Sequence, residues 1–194
     1  MNQLGKTRLL LTPLAIQLAS LGCLLTLAGL LTACDGNTEL MKHTLDGDVS
    51  AVQQDLDNGA VVDGRNNYGW TALMHAARQN QAATLALLLD AGADINLQDD
   101  NGWTALMRAA AKGSTEAAEL LLQRGAQLEL ADKNGWTALL WAVNRDHLDL
   151  VQLLIAGGAN VNVTTRDGRT ALSIARNESN NEIFQLLEKA GAKQ

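Results

Sequence analysis

The side chains of this sequence that are best suited to catalysis or metal binding are three histidines, His43, His75 and His147, and two cysteines, Cys23 and Cys34. The histidines occupy unrelated positions and none belongs to a zinc-binding motif such as HExxH, so the sequence predicts no metal site. Phosphate-binding loops and the GxSxG motif of hydrolases do not occur either. We therefore expect a protein that is not an enzyme and has no cofactor.

Tryptophan is the more informative residue type. Trp70, Trp103 and Trp136 recur every 33 residues, each directly after a glycine. Tyr68 lies two residues before the first of them. Buried tryptophans contribute strongly to many protein interfaces, so this column could form a partner-binding surface. Alternatively, each indole covers its neighbouring loop and has only a packing role.

The whole chain beyond the N-terminal segment repeats with this same interval. The segments "GNTEL", "GWTAL", "GWTAL", "GWTAL" and "GRTAL" begin at residues 36, 69, 102, 135 and 168. A second set of glycines, each followed by alanine, has the same interval and comprises Gly59, Gly92, Gly125, Gly158 and Gly191. Two series with one period indicate a repeat architecture.

Each repeat contains signals for two helices. Threonines that precede a run of Ala and Leu can cap a helix start with their hydroxyl groups; they are Thr71, Thr104, Thr137 and Thr170. A second leucine-rich segment such as "AATLALLLDAG" ends at a glycine, which adopts left-handed backbone angles without penalty. Turns rich in Asp, Asn and Gly then lead to the next repeat.

These motifs resemble the ankyrin repeat from Gly36 to Gln194. The resemblance implies an all-α solenoid of five helix-turn-helix units joined by hairpin loops, and binding of another protein on the concave side. It places the tryptophans near the hairpin tips and a second variable column in the groove, with His75, Arg108 and Trp141 among its members. It also implies that Asp99 and Asp132 brace the hairpins, whereas a calcium loop would need further oxygen ligands.

The sequence departs from the family pattern "TPLH", because the fourth position is Met74, Met107 and Leu140 in the central repeats. We expect these side chains to pack in the core in place of the histidine. The end repeats carry polar substitutions that are typical of solvent-facing caps. Glu39 and Thr44 are the candidates in the first repeat, and Glu182, Glu188 and Lys189 are those in the last.

Charge also varies around the stack. Beyond Cys34 there are 13 basic and 21 acidic residues, a net charge of −8, so nucleic acid is not an expected ligand. The first helices are nevertheless basic through Arg78, Arg108, Lys112 and Arg145. This charge either complements an acidic partner or neutralises helix ends, although the second explanation does not apply to Arg108.

The N-terminal segment reads as a targeting signal. Lys6 and Arg8 precede an uncharged apolar run from Leu9 to Ala33. "LTAC" at residues 31–34 resembles the lipobox of bacterial lipoproteins, in which the cysteine receives acyl chains and becomes the first residue. The domain prediction is a removed signal peptide over 1–33, a lipidated N-terminus with a short tether over 34–37, and an ankyrin domain over 38–194. A transmembrane helix or an ordinary cleaved signal are the alternatives.

Asp35 follows the candidate lipidation site. An aspartate there resembles the signal that retains lipoproteins in the inner membrane of some bacteria, although it is equally explained as a solvated polar residue. We expect a protein held in the cell envelope and facing the periplasm. Because four peptide units span roughly 15 Å at most, Thr38 would lie close to the lipid.

The leading hypothesis is a lipid-anchored interaction module with a monomeric repeat domain. Its partner-binding residues would be Tyr68, Trp70, His75, Trp103, Arg108, Trp136 and Trp141. Ankyrin lipoproteins of this kind include immunity proteins against periplasmic toxins and support factors for envelope enzymes. The alternative is a structural or membrane-organising protein that associates with copies of itself.

Overall fold

A computed structural model describes residues 35–177 and 181–193, apart from the side chain of Asn177. Ten α-helices and one isolated β-bridge, between Thr164 and Thr170, form the regular structure of these residues. The helices are α1 Glu39–Asp46, α2 Val49–Asp57, α3 Ala72–Arg78, α4 Ala82–Asp90, α5 Ala105–Lys112, α6 Thr115–Gln123, α7 Ala138–Asn144, α8 Leu148–Ala156, α9 Ala171–Asn177 and α10 Asn181–Lys189. The prediction of an all-α solenoid of five helical pairs is confirmed.

The helices form two layers. First helices pack against first helices of the adjacent repeats, in the order α1, α3, α5, α7 and α9, and second helices pack in the order α2, α4, α6, α8 and α10. Stacking buries the apolar faces that no single repeat could bury alone. Met74, Met107 and Leu140 are at most 1% exposed, so the expectation that they replace the family histidine by packing is confirmed.

The predicted helix starts are confirmed in detail. The hydroxyl oxygens of Thr71, Thr104 and Thr137 accept hydrogen bonds from the backbone N–H three residues later, at 3.4, 3.2 and 3.5 Å. Thr170 accepts from the N–H of Ser173 at 3.1 Å. Each bond satisfies one of the amides that a helix start leaves unpaired.

Successive hairpins are joined by main-chain hydrogen bonds that recur from one repeat to the next. The N–H of Asp100 donates to the carbonyl of Tyr68 at 3.2 Å, and the N–H of Lys133 donates to that of Asn101 at 3.0 Å. In the same series, the N–H of Asn67 donates to the carbonyl of Asp35 at 2.9 Å. Residues 35–37, assigned to a tether from the sequence, therefore take part in the first hairpin of the stack.

Four of the five polar side chains predicted to cap the end repeats are exposed. Glu39 in α1 and Glu182, Glu188 and Lys189 in α10 are exposed, as expected of caps. Thr44 is fully buried, and its hydroxyl donates to the carbonyl of Leu40 at 2.7 Å. The expectation that Thr44 faces solvent was wrong, because a threonine can satisfy its hydroxyl within its own helix and then fill the position of a small apolar residue.

Candidate functional site

Each central hairpin is closed by one acidic or amide side chain. One carboxylate oxygen of Asp99, Oδ1, accepts hydrogen bonds from the N–H groups of Asn101 and Trp103, at 2.8 and 3.0 Å. Asp132 makes the same pair of bonds in the next repeat, at 2.8 and 3.0 Å. Asp99 and Asp132 thus brace the hairpins as the resemblance implied. The backbone that carries each indole is fixed by this bracing.

The second carboxylate oxygen of each brace holds a side chain from the following helix. Oδ2 of Asp99 accepts from the guanidinium of Arg108 on α5, and Oδ2 of Asp132 accepts from the indole N–H of Trp141 on α7, at 3.2 Å. The Asp99 side chain is fully buried and that of Arg108 is 14% exposed. Charge-assisted bonds of this kind orient both partners, so Arg108 and Trp141 are held against the hairpins.

Seven side chains from α3, α5, α7 and the hairpins of the second to fifth repeats form one continuous row. We call this row the ring ladder; in spatial order it consists of His75, Trp70, Arg108, Trp103, Trp141, Trp136 and Arg169. The Trp70 and His75 rings are 4.9 Å apart, and the Arg108 guanidinium lies between indoles, 3.7 Å from the Trp70 ring and 4.3 Å from the Trp103 ring. Cation–π attraction stabilises such an arrangement.

The row continues through the fourth repeat to the fifth. The Trp141 ring lies 4.3 Å from that of Trp103 and 4.7 Å from that of Trp136, and the Arg169 guanidinium lies 4.8 Å from the Trp136 ring. Every hairpin tryptophan therefore contacts a helix residue of its own repeat. Trp70 and Trp103 also contact one from the next repeat, so the ladder spans repeats.

Exposure differs along the ladder. Trp136 is 6% exposed and His75 is 7% exposed, whereas Trp70, Trp103 and Trp141 are half-buried. Tyr68, beside the first tryptophan, is 59% exposed. Of the residues predicted to bind a partner, these last four offer a partner the most aromatic surface, while Trp136 and His75 mainly support their neighbours.

His75 is the least satisfied member of the ladder. Neither ring nitrogen has a hydrogen-bond partner, and Asn66 occupies the position in this repeat that carries an aspartate in the next two. Burial lowers the pKa of His75 to about 4, and the positive charges of Arg78 and Arg108 also lower it. The imidazole is therefore neutral at pH 7.

The basic residues of the first helices do not form one uniform group. Arg108 is bonded to Asp99, whereas Arg78, Lys112 and Arg145 are exposed at the ends of α3, α5 and α7. These three surround a depression of about 280 Å³ that is also lined by Trp103, Arg108 and Ala111. The sequence favours Arg108 as the cation for a partner, but in the structure the three others have the more accessible charge.

Some residues of this surface were not found from the sequence. Arg169 completes the ladder although its repeat lacks the tryptophan, and Asn66 closes the second hairpin through the N–H groups of Tyr68 and Trp70, both at 3.0 Å. Asn66 lies one full repeat before Asp99, and this recurrence could have identified it.

His43 lies 2.7 Å from the carboxylate of Asp55, which raises the pKa of His43 through the hydrogen bond and joins α1 to α2.

The predicted anchor is only partly covered by the structure. Cys34 lies outside the described residues. The carboxylate of Asp35 accepts bonds from the backbone and side-chain amides of Asn37, at 3.0 and 2.7 Å. In the part of the chain that the structure describes, no helix is long and apolar enough to cross a bilayer, and no group of three His, Cys, Asp or Glu side chains could bind a metal ion.

Comparison with known proteins agrees with the stack. The family model for ankyrin repeats matches residues 14–99, 81–165 and 125–194, and the chain therefore belongs to the ankyrin-repeat family. Members of this family generally act as interaction modules that bind other proteins, rather than as enzymes.

Part of the chain is also similar to the ankyrin repeat, SAM and basic leucine zipper domain-containing protein 1 of two mammals. The protein of Dasypus novemcinctus is 43% identical over 51 residues, which are 26% of this chain and 11% of that protein. The one of Nomascus leucogenys is 42% identical over 62 residues, which are 32% and 13% of the two chains. The chain thus matches only a small share of these relatives' length.

Proposed function

We propose that this protein binds a partner protein through the ring ladder and the neighbouring exposed side chain of Tyr68. The observation that carries the proposal is the continuous row of contacts among half-buried indoles and the Arg108 guanidinium across three successive repeats. A large aromatic surface that is already fixed by its neighbours loses little side-chain entropy when a partner binds. Tryptophan and arginine are also the residue types that most often dominate interface energy.

The form of the ladder supports this proposal over catalysis. The Arg108 guanidinium and the Trp141 indole N–H are occupied by bonds to Asp99 and Asp132, and the unpartnered imidazole of His75 is buried. What is left at the surface is aromatic, together with the cations of the nearby depression. Such a surface can recognise a partner by shape and charge, and it offers no activated nucleophile or general base.

The test is capture of a partner from native envelope extracts by tagged full-length protein. Trp103→Ala removes the indole at the centre of the ladder, and we expect it to abolish capture of one dominant protein identified by mass spectrometry. Phe184→Ala is the matched control, because Phe184 is a half-buried aromatic of α10, in the layer of second helices and outside the ladder. Circular dichroism must show both variants folded.

Two results would contradict the proposal. If Trp103→Ala captured the partner as fully as Phe184→Ala and wild type do, the indole surface would not be the binding site. Capture of further copies of this chain alone would instead favour the structural role, in which copies of the protein associate. Arg108→Ala is a poorer probe than Trp103→Ala, since it would leave the buried carboxylate of Asp99 without its cation.

We further propose that the stack is lipid-anchored through Cys34 and faces the periplasm. The support comes from the apolar run, the "LTAC" motif and the start of the folded stack at Asp35, directly after the candidate anchor. Two or more acyl chains suffice for stable anchoring. An immunity protein against a periplasmic toxin and a support factor for an envelope enzyme both fit such a location. A toxin gene beside this one would favour immunity.

Labelling and fractionation test the anchor. Radiolabelled palmitate should enter the wild-type protein and not Cys34→Ser; labelling of both would contradict the proposal. Asp35, proposed to favour the inner membrane, is tested by Asp35→Ser, which keeps a side-chain oxygen for the N–H of Asn37. We expect this variant to move toward the outer-membrane fraction; an unchanged distribution would exclude the sorting role.

A further inference from the structure

Three cations of this protein converge on one place. Arg78, Lys112 and Arg145 are exposed, and all three line the depression described above beside Trp103. None of them forms an ion pair with a carboxylate among residues 35–177 and 181–193, although Arg65, Arg108, Arg124 and Arg169 each do. The depression therefore carries a positive charge that the described structure does not neutralise.

The helix dipole explains why these cations lie at helix ends, but it does not explain why no carboxylate of the described residues is paired with them. All three lie at the C-terminal ends of first helices, where a cation interacts favourably with the helix dipole. That effect is small at exposed sites and leaves most of the field available to a ligand. The field also reaches inward, because Arg78 contributes to the lowered pKa of the buried His75, after the larger effect of burial.

The carboxylates of Asp99 and Asp146 do not line this depression. Asp99 is buried against Arg108. Asp146 follows Arg145 in the sequence and lines a separate depression with His147. The depression is thus a local basic site on a chain whose net charge beyond Cys34 is −8. A membrane or a nucleic acid would extend beyond the depression over a chain of net negative charge, whereas a short segment would contact the basic site alone.

We propose that this depression binds an acidic segment of the partner protein. Carboxylates of the segment would pair with Arg78, Lys112 and Arg145, and an adjacent apolar side chain would pack against Trp103 and Ala111, which line the same depression. The proposal rests on the proposed function, since it assigns a chemical class to the partner of the ring ladder. Long-range attraction would accelerate association with such a partner.

The test uses fluorescence anisotropy of a labelled peptide of alternating Glu and Leu, with the Gln and Leu peptide as its neutral counterpart. Full-length wild type is compared with the triple variant Arg78→Gln, Lys112→Gln, Arg145→Gln. The control triple variant Lys133→Gln, Lys189→Gln, Lys193→Gln changes the net charge equally at exposed sites outside the depression. Vesicles that contain anionic phospholipid serve as a competing ligand.

We expect the Glu peptide to bind wild type and control at least about tenfold more tightly than the triple variant of the depression. The binding should weaken with salt, because the Debye length falls from about 10 Å at 0.1 M to about 3 Å at 1 M. The proposal would be overturned if the Glu peptide did not bind, or if the Glu and Gln peptides bound with equal affinity. It would also be overturned if the control triple variant lost as much affinity as the triple variant of the depression. Tighter binding to vesicles that is lost in the triple variant would assign the depression to membrane instead.

The two proposals can fail separately. If Trp103→Ala abolishes partner capture but the peptide measurements fail, the acidic-segment proposal is overturned and the ladder keeps its proposed function. If Trp103→Ala leaves capture unchanged, the ladder proposal fails whatever the peptide does.

Discussion

Arg108 combines three interactions within one side chain: a bond to buried Asp99 and contacts with the rings of Trp70 and Trp103. A buried carboxylate is costly when its cation is removed, because the charge remains without compensation. Trp141, at the same position one repeat later, meets Asp132 with an indole N–H instead. The bracing carboxylate is thus paired with a cation in one repeat and with a neutral indole N–H in the next, so the two kinds of pairing can be compared by substitution at residue 108.

We predict that Arg108→Ala lowers the free energy of unfolding by about 3 kcal/mol, since it leaves Asp99 unpaired and opens the ladder. Arg108→Trp should lose less than half as much, because an indole can donate to Asp99 as Trp141 does to Asp132. Urea denaturation of both variants measures the difference. Equal losses, or a loss near zero for Arg108→Ala, would show that the pairing of Asp99 is not a major source of stability.

His75 gives a prediction for the pH dependence of stability. Its folded pKa is about 4, below the usual 6.5, mainly because burial disfavours the charged ring. Between these two pH values the unfolded chain binds the proton and the folded chain does not, so stability falls as the pH falls from about 6.5 toward 4. The whole shift corresponds to roughly 3 kcal/mol as an upper limit.

The variant His75→Phe keeps a ring against Trp70 and removes the titration. We expect its urea midpoint to vary less between pH 6.5 and 4 than that of wild type, and its stability at pH 7 to be equal or higher, because the unpartnered ring nitrogens are gone. His43, whose pKa is raised, contributes in the opposite direction and is common to both proteins. The same pH dependence in both would contradict this account of His75.

At the scale of elements, the glycines of the repeat serve two distinct purposes. Gly102 and Gly125 both have left-handed backbone angles, with φ of 83° and 86°. A Cβ atom on Gly102 would lie 3.0 Å from the Cα of Asp132 in the next hairpin, while one on Gly125 would meet no atom within 4 Å. Gly102 is therefore required for the close approach of hairpins as well as for its conformation.

Substitution of Gly102 and of Gly125 by alanine distinguishes the cost of left-handed backbone angles from the cost of a steric clash between hairpins. Gly125→Ala should destabilise the protein by about 1 kcal/mol, the usual cost of left-handed angles for a residue with a Cβ. Gly102→Ala should cost at least about 1 kcal/mol more, because the hairpins must move apart and weaken the bond between Lys133 and Asn101. Thermal or urea unfolding tests this, and equal losses would show that the hairpin spacing is not tightly fixed.

Sequence periodicity predicted the elements well and their side-chain contacts less well. Threonine caps and terminal glycines follow from local chemistry that recurs in successive repeats, and the bracing by Asp99 was implied by the resemblance to ankyrin repeats. The contact between Trp103 and Trp141 joins two different repeats and depends on how far one repeat is displaced against the next. That displacement is a property of the packed stack, so the order of the ring ladder was not predictable from spacing alone.

At the scale of the whole molecule, aromatic and basic groups share one region of an otherwise acidic stack. The ring ladder extends from α3 to the fifth hairpin, and the depression of Arg78, Lys112 and Arg145 adjoins its centre at Trp103. The sequence indicated both the tryptophan column and the basic first helices, but not that Arg108 would be bonded internally while its neighbours stay accessible. This division follows from the position of Asp99 beneath the hairpin.

Site-specific photocrosslinking in living cells tests most directly whether the ladder face binds a partner. Tyr68 is 59% exposed beside Trp70, and Glu119 is exposed on α6 in the layer of second helices, so each can be replaced by benzoylphenylalanine without entering the core. If the ladder face binds a partner, we expect one abundant crosslinked protein from position 68 and no such product from position 119. Crosslinks from position 119 alone, or the same products from both positions, would contradict it.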